Sequence, residues 1–316
     1  MVKAEPSARI KSIDELRGFA IASMILVNFL AIYPAVPSIL KHAKGVGFTF
    51  ADLVAPLFMF IIGIMYRRSV LKRAATDGRI KTWLHLAQRY ALLCLLGLLG
   101  NWVALGSIGW GVLQAIGLAG IIVLPVIENG RQIRFTAALG LMGFYQTLLF
   151  TGLKETILKM DHGGPLAVLS WSTILLWSSL AGDFIDFDKI AVSVKQLTGF
   201  GLIFFSVGMM ASVFIPISKH EVNLSYILVA TGFSALLLVI FMIACDMMRF
   251  SVPTFETIGK NALLVYLLHY LLVQIGHFLI PSTSAFPWVA FGAVAIYFMI
   301  YRFALFLEKK LIYFRL

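Results

Sequence analysis

The residues best equipped for chemistry lie in one stretch, Asn28 to Tyr66. Two apolar segments there flank a short polar hairpin that carries Lys41, His42 and Lys44. Asp52 follows, ten residues after His42, at the head of the second segment. An imidazole can take a proton from an amine or hydroxyl near neutral pH and return it later. It can also carry an acyl group. A carboxylate such as Asp52 can fix its tautomer and stabilise the imidazolium. Asn28, deep in the first segment, offers an amide N–H to a carbonyl oxygen that gains charge during acyl transfer. Ionisable side chains are costly at membrane depth, so those found there are functional candidates. These are the parts of an acyl-transfer site. Spacing alone leaves a proton relay or a structural hydrogen bond equally open.

The elements that must hold these residues are apolar helices. The chain has 316 residues, of which 60% are hydrophobic and 13% charged, and its mean hydropathy is +0.92. A soluble domain is about one quarter charged. Repeated apolar runs of about 20 residues therefore predict an all-α, polytopic transmembrane bundle. A β-barrel would show short alternating segments instead. About ten spans are expected (nine to eleven), at 16–36, 50–67, 83–103, 108–127, 134–151, 166–185, 197–216, 223–245, 257–280 and 285–307. The sixth is diluted by Trp171, Ser172, Thr173, Ser178 and Ser179. Residues 1–316 read as a single domain, without repeats or a soluble insertion.

The net charge of +11 comes from basic residues between the apolar runs, from Lys3 to Arg315. That placement fits topology and lipid headgroups, and no nucleic-acid partner is expected. With the N-terminus inside, Lys and Arg favour that side by about four to one. Both termini are then cytoplasmic and the His42 hairpin lies on the far side. Lys41, Lys44, Lys154, Lys159 and Lys219 are the basic residues of that far side. Cys94 and Cys245 lie in apolar runs and read as small buried hydrophobes, with no metal site. No removable leader is expected. Arg67, Arg68, Lys72 and Arg73 are topology anchors that could also meet a polyphosphate.

A second polar group opens the ninth run. Asn261, Val265 and His269 are spaced by four on one helical face, with Tyr266 adjoining. Interhelical hydrogen bonding is the alternative use for them. Gln114 is a third polar intrusion, and Arg17 precedes the first span.

Four blocks then carry a resemblance. They are Ser12 to Asn28 (S-I-D-E-L-R-G running to an Asn), Lys41 to Pro56 (K-H-A-K-G-V-G-F-T-F-A-D-L-V-A-P), G-V-L-Q-A around Gln114, and Gly259 to His269 (G-K-N-A-L-L-V-Y-L-L-H). In this order they resemble the catalytic domain of the heparan-α-glucosaminide N-acetyltransferase family of multi-span membrane acyltransferases. Gly45, Val46, Ala55 and Ala115 depart from the family pattern, which has Trp, Asn, Phe and Arg there.

The resemblance implies acetyl transfer from cytoplasmic acetyl-CoA to an amino sugar or glycan on the far side. Asn28 and His42 match its catalytic positions, Asp52 their partner, and His269 a further site residue. Arg17, Arg67, Arg68 and Lys260 are the expected donor contacts. Lys41, Gln114, Asn261 and His269 are the expected substrate contacts. The bilayer is the third partner, in a bacterial or archaeal inner membrane, and a homodimer is left open. The alternative is a transporter for a sugar or small anion, whose midplane site would use Asn28, Gln114, Asn261 and His269.

Overall fold

A computed structural model describes residues 10–106 and 109–312. Lys3, Arg9 and Arg315 of the charge pattern, and Ile108 at the expected start of the fourth span, lie outside the described residues. The described chain is helical, without strands: α1 (Lys11–Leu30), α2 (Phe50–Asp77), α3 (Arg79–Leu105), α4 (Val112–Ile127), α5 (Arg131–Leu149), α6 (Leu153–Leu158), α7 (Val168–Gly182), α8 (Ile190–Ala211), α9 (Leu224–Phe241), α10 (Pro253–Lys260), α11 (Ala262–Leu279) and α12 (Phe286–Lys309). Every expected apolar run contains one helix of at least 15 residues. Six are long and apolar enough to cross a membrane: α2, α3, α8, α9 with its π-helical continuation to Met247, α11 and α12. The protein is an integral membrane protein by these helices.

Two departures from expectation have physical causes. The run expected as one helix over 257–280 breaks at Asn261, whose backbone (φ −121°, ψ 39°) leaves the helical region. The sixth run, diluted by Trp171 and its hydroxyl residues, forms the most enclosed helix. Every residue of α7 except Leu169 is buried. Two of its hydroxyls donate to backbone carbonyls one turn back, Ser172 to Val168 and Ser179 to Leu176, both at 2.7 Å. A helix surrounded by protein need not be apolar to lipid, and its 15 residues are fewer than a span requires.

Helix α7 packs on α2 through glycines. A Cβ at Gly63 would stand 1.8 Å from Ser178 Oγ, and one at Gly182 would stand 2.3 Å from Ile64 O. Bare backbone therefore lets these two helices touch. One large core joins α2–α5, α7–α9 and part of α1. A second core seats α11 and α12 on the opposite face of α1, around Phe29, Val265 and Ile296. So α1, which carries Asn28, sits between the two packed units, and α2, which carries Asp52, belongs to the larger one.

Candidate active site

Asp52 is fixed by the start of α2. It is the third residue of the helix and reaches back to the Thr49 N–H at 2.9 Å, the acidic half of a capping box. The Ala43 N–H donates to the same oxygen, Oδ2, at 3.0 Å. Its own carbonyl has lost a partner, because Pro56 sits four residues on and has no N–H. The Tyr226 hydroxyl of α9 fills that gap, donating to Asp52 O at 2.6 Å. The carboxylate is fully buried. It is held from three sides, and Oδ1 is the oxygen left for chemistry.

Oδ1 lies 2.8 Å from His42 Nδ1. With a proton on Nδ1 donated to Asp52, the lone pair of His42 is on Nε2, which makes no hydrogen bond within the described chain. The imidazole is 37% exposed at the mouth of the hairpin. A base with an unspent nitrogen, oriented by a buried carboxylate, is a proton acceptor ready for a substrate hydroxyl or amine. Lys219, from the loop between α8 and α9, completes the cluster. Its Nζ is 2.9 Å from His42 Nδ1 and 3.7 Å from Asp52 Oδ1. The side chain is only 12% exposed. Burial pulls the Lys219 ammonium down to about 8, against the opposing pull of Asp52 and Asp161. Lys219 was legible in sequence only as one of five basic residues on the hairpin's side.

Asn28 is brought to His269 and not to His42. Its amide Nδ2 is 3.0 Å from His269 Nε2. The His269 Nδ1–H donates to Tyr266 O, so Nε2 carries the lone pair and Asn28 is the donor. Both nitrogens of this buried ring are occupied. Tyr266 and Tyr270 share a hydroxyl contact of 2.9 Å beside it. Of the other expected substrate contacts, Asn261 is buried at the break between α10 and α11. The Gln114 side chain donates to Gly109 O at 3.1 Å. Lys41 donates to Pro34 O at 3.3 Å, in the hairpin.

A cavity of about 340 Å³ enters from the end of the bundle opposite the hairpin. Phe58, Tyr66 and Tyr266 wall it, and Arg17, Arg89 and Lys260 bring three cations. Arg17 is 2.9 Å from Asp14, and Lys260 lies 2.7 Å from Glu308. Among the described residues Arg89 has no carboxylate partner, and its Nε is buried without a hydrogen bond there. In sequence, Arg89 is legible only as one of the basic residues of the charge pattern. Arg67 and Arg68 lie elsewhere. Arg67 pairs with Asp183 at 3.5 Å, and Arg68 donates to Ile185 O and stacks on Phe187. The deepest α2 residue of the cavity, Phe58, is six residues from Asp52, about 9 Å along the helix axis.

A second cleft, of about 470 Å³, lies at the hairpin end. Gly45 and Val46 form one lip, and Phe150, Phe214 and the Lys154–Glu221 ion pair form the others. A Cβ at Gly45 would meet nothing within 4 Å.

Comparison with known proteins gives two matches. The family model described as heparan-alpha-glucosaminide N-acetyltransferase, catalytic, matches residues 9–184, more than half of the chain. Human heparan-alpha-glucosaminide N-acetyltransferase is 33% identical over 132 residues, which is 38% of this chain and 19% of the human protein. The matched part therefore spans about a fifth of that relative's length. The family match includes Asn28, His42, Asp52 and Arg89, and ends before Lys219, Tyr226 and His269.

Proposed function

The chain belongs to the heparan-alpha-glucosaminide N-acetyltransferase catalytic family, and on that premise we propose that it transfers acetyl from acetyl-CoA to an amino sugar or glycan at the hairpin end. The observation that carries this reading is the His42–Asp52 pair, with the free imidazole nitrogen at the mouth of the bundle. The cationic cavity supports it from the other end. CoA is a polyanion on a long, thin pantetheine arm. Arg17, Arg89 and Lys260 suit its phosphates, and the aromatic walls suit the arm. In this reading that end is the cytoplasmic one, which the basic bias of the loops supports.

In the proposed reaction the acceptor amine or hydroxyl gives its proton to His42 Nε2 and attacks the thioester carbonyl. Asn28 uses one amide N–H on His269 and has a second for the oxygen that gains charge. The C–S bond then breaks, and the CoA thiolate takes the proton back from the imidazolium. His42 Nε2 could instead carry the acetyl group transiently. The acceptor is assigned to the cleft beside Gly45 and Val46, whose volume is that of a small-molecule site. Those two positions depart from the family pattern, so this cleft is where acceptor choice would differ.

Titration calorimetry of acetyl-CoA and CoA against detergent-purified protein tests the donor. Saturable binding of acetyl-CoA, followed by CoA release when amino sugars are added, is expected. Folded protein that binds neither would overturn the reading.

A further inference from the structure

His42 Nδ1 stands within hydrogen-bond distance of two groups, Asp52 Oδ1 at 2.8 Å and Lys219 Nζ at 2.9 Å. One in-plane nitrogen has either one proton or one lone pair, so it can serve only one of them. If Nδ1–H donates to Asp52, Nε2 is the free base. If the Lys219 ammonium donates to Nδ1, the ring proton sits on Nε2 and that nitrogen cannot accept another. The two partners therefore select opposite tautomers.

The loop that holds Lys219 is anchored on all sides. The Gly47 N–H of the hairpin donates to Ile217 O at 2.7 Å. Tyr145 donates to Glu221 O and Ser170 to Val222 O, each at 2.6 Å. Asn223 caps α9 and donates to Pro216 O at 2.8 Å. A lysine this enclosed, on a loop this tied, is placed beside the imidazole by the fold.

We propose that Lys219 is a positioning residue that competes with Asp52 for His42 Nδ1 and so sets whether Nε2 is the base. The inference rests on His42 being the base of the proposed function. The groups facing Lys219 are His42 and Asp52 from the hairpin and α2, Asp161 and His162 from the segment before α7, and its neighbour His220. Glu221, next in sequence, is engaged by Lys154. Below about pH 8 the Lys219 ammonium can donate to Nδ1. As pH rises through about 8 it loses that proton, Nδ1–H turns to Asp52, and Nε2 becomes free.

The test is the rate at which diethyl pyrocarbonate modifies His42, measured by peptide mass spectrometry from pH 7 to 9 on resting protein. No acetyl transfer is needed, so failure of the proposed activity is separable from failure of this inference. Wild type should rise about tenfold across that range, as the neutral fraction of a group titrating near 8 does. Lys219→Met should lose the inflection and react at pH 7 as wild type does at pH 9. Lys219→Arg, charged throughout, should stay at the low rate. Acetyl-transfer rates should follow the same three profiles. A wild-type profile flat between pH 7 and 9 overturns the proposal without any variant. A Lys219→Met protein that folds and keeps the wild-type inflection overturns it as well.

Discussion

The same ring is held in opposite ways at His42 and at His269. His42 is 37% exposed, leans on a carboxylate and an ammonium, and has an unspent Nε2. His269 is 1% exposed and has both nitrogens committed, one to Tyr266 O and one to the Asn28 amide. A proton acceptor needs a nitrogen that substrate can reach. A positioning group needs every nitrogen engaged. The comparison therefore suits His42 to the proton transfer proposed above and leaves His269 as the partner that holds the Asn28 amide, although both are histidines beside apolar helices.

The largest effect that would sharpen this contrast is His42→Ala. Acetyl transfer should fall about a thousandfold, within the range general-base removal produces, with a melting temperature close to wild type. Asp52→Asn should come next, at about a hundredfold or more in kcat. It should also lower the melting temperature, because Oδ2 accepts the Ala43 and Thr49 N–H groups that hold the hairpin. His269→Phe should show the opposite balance. The Tyr266 carbonyl and the Asn28 amide would lose their partner, at a stability cost of about 1–3 kcal/mol, while transfer falls only about tenfold. A His269→Phe protein that melts like wild type and transfers nothing would break the comparison. Arg89→Met should be smallest, weakening acetyl-CoA binding about tenfold by calorimetry with kcat within twofold.

The fold was legible because lipid imposes a simple rule, and each apolar run became a helix. The rule failed at α7, where Ser172 and Ser179 bond to their own helix and protein stands in place of lipid. It also failed at Asn261, where one run holds two helices. Within the site, His42 and Asp52 were legible because ten residues of hairpin bring them together. Lys219 and His42 are 177 positions apart, and Asn28 and His269 are 241 apart. Nothing local announces either meeting. Tyr226 was half-announced, since Pro56 leaves the Asp52 carbonyl in need of a donor but does not say which one.

The most direct test of the central claim is single-turnover transfer of labelled acetyl from acetyl-CoA to a glucosamine acceptor, with wild type, His42→Ala and His269→Phe side by side. The expected result is rapid labelling by wild type, labelling about tenfold slower by His269→Phe and about a thousandfold slower by His42→Ala, with all three proteins folded. Labelling by His42→Ala at the wild-type rate would contradict the assignment of the base to the hairpin.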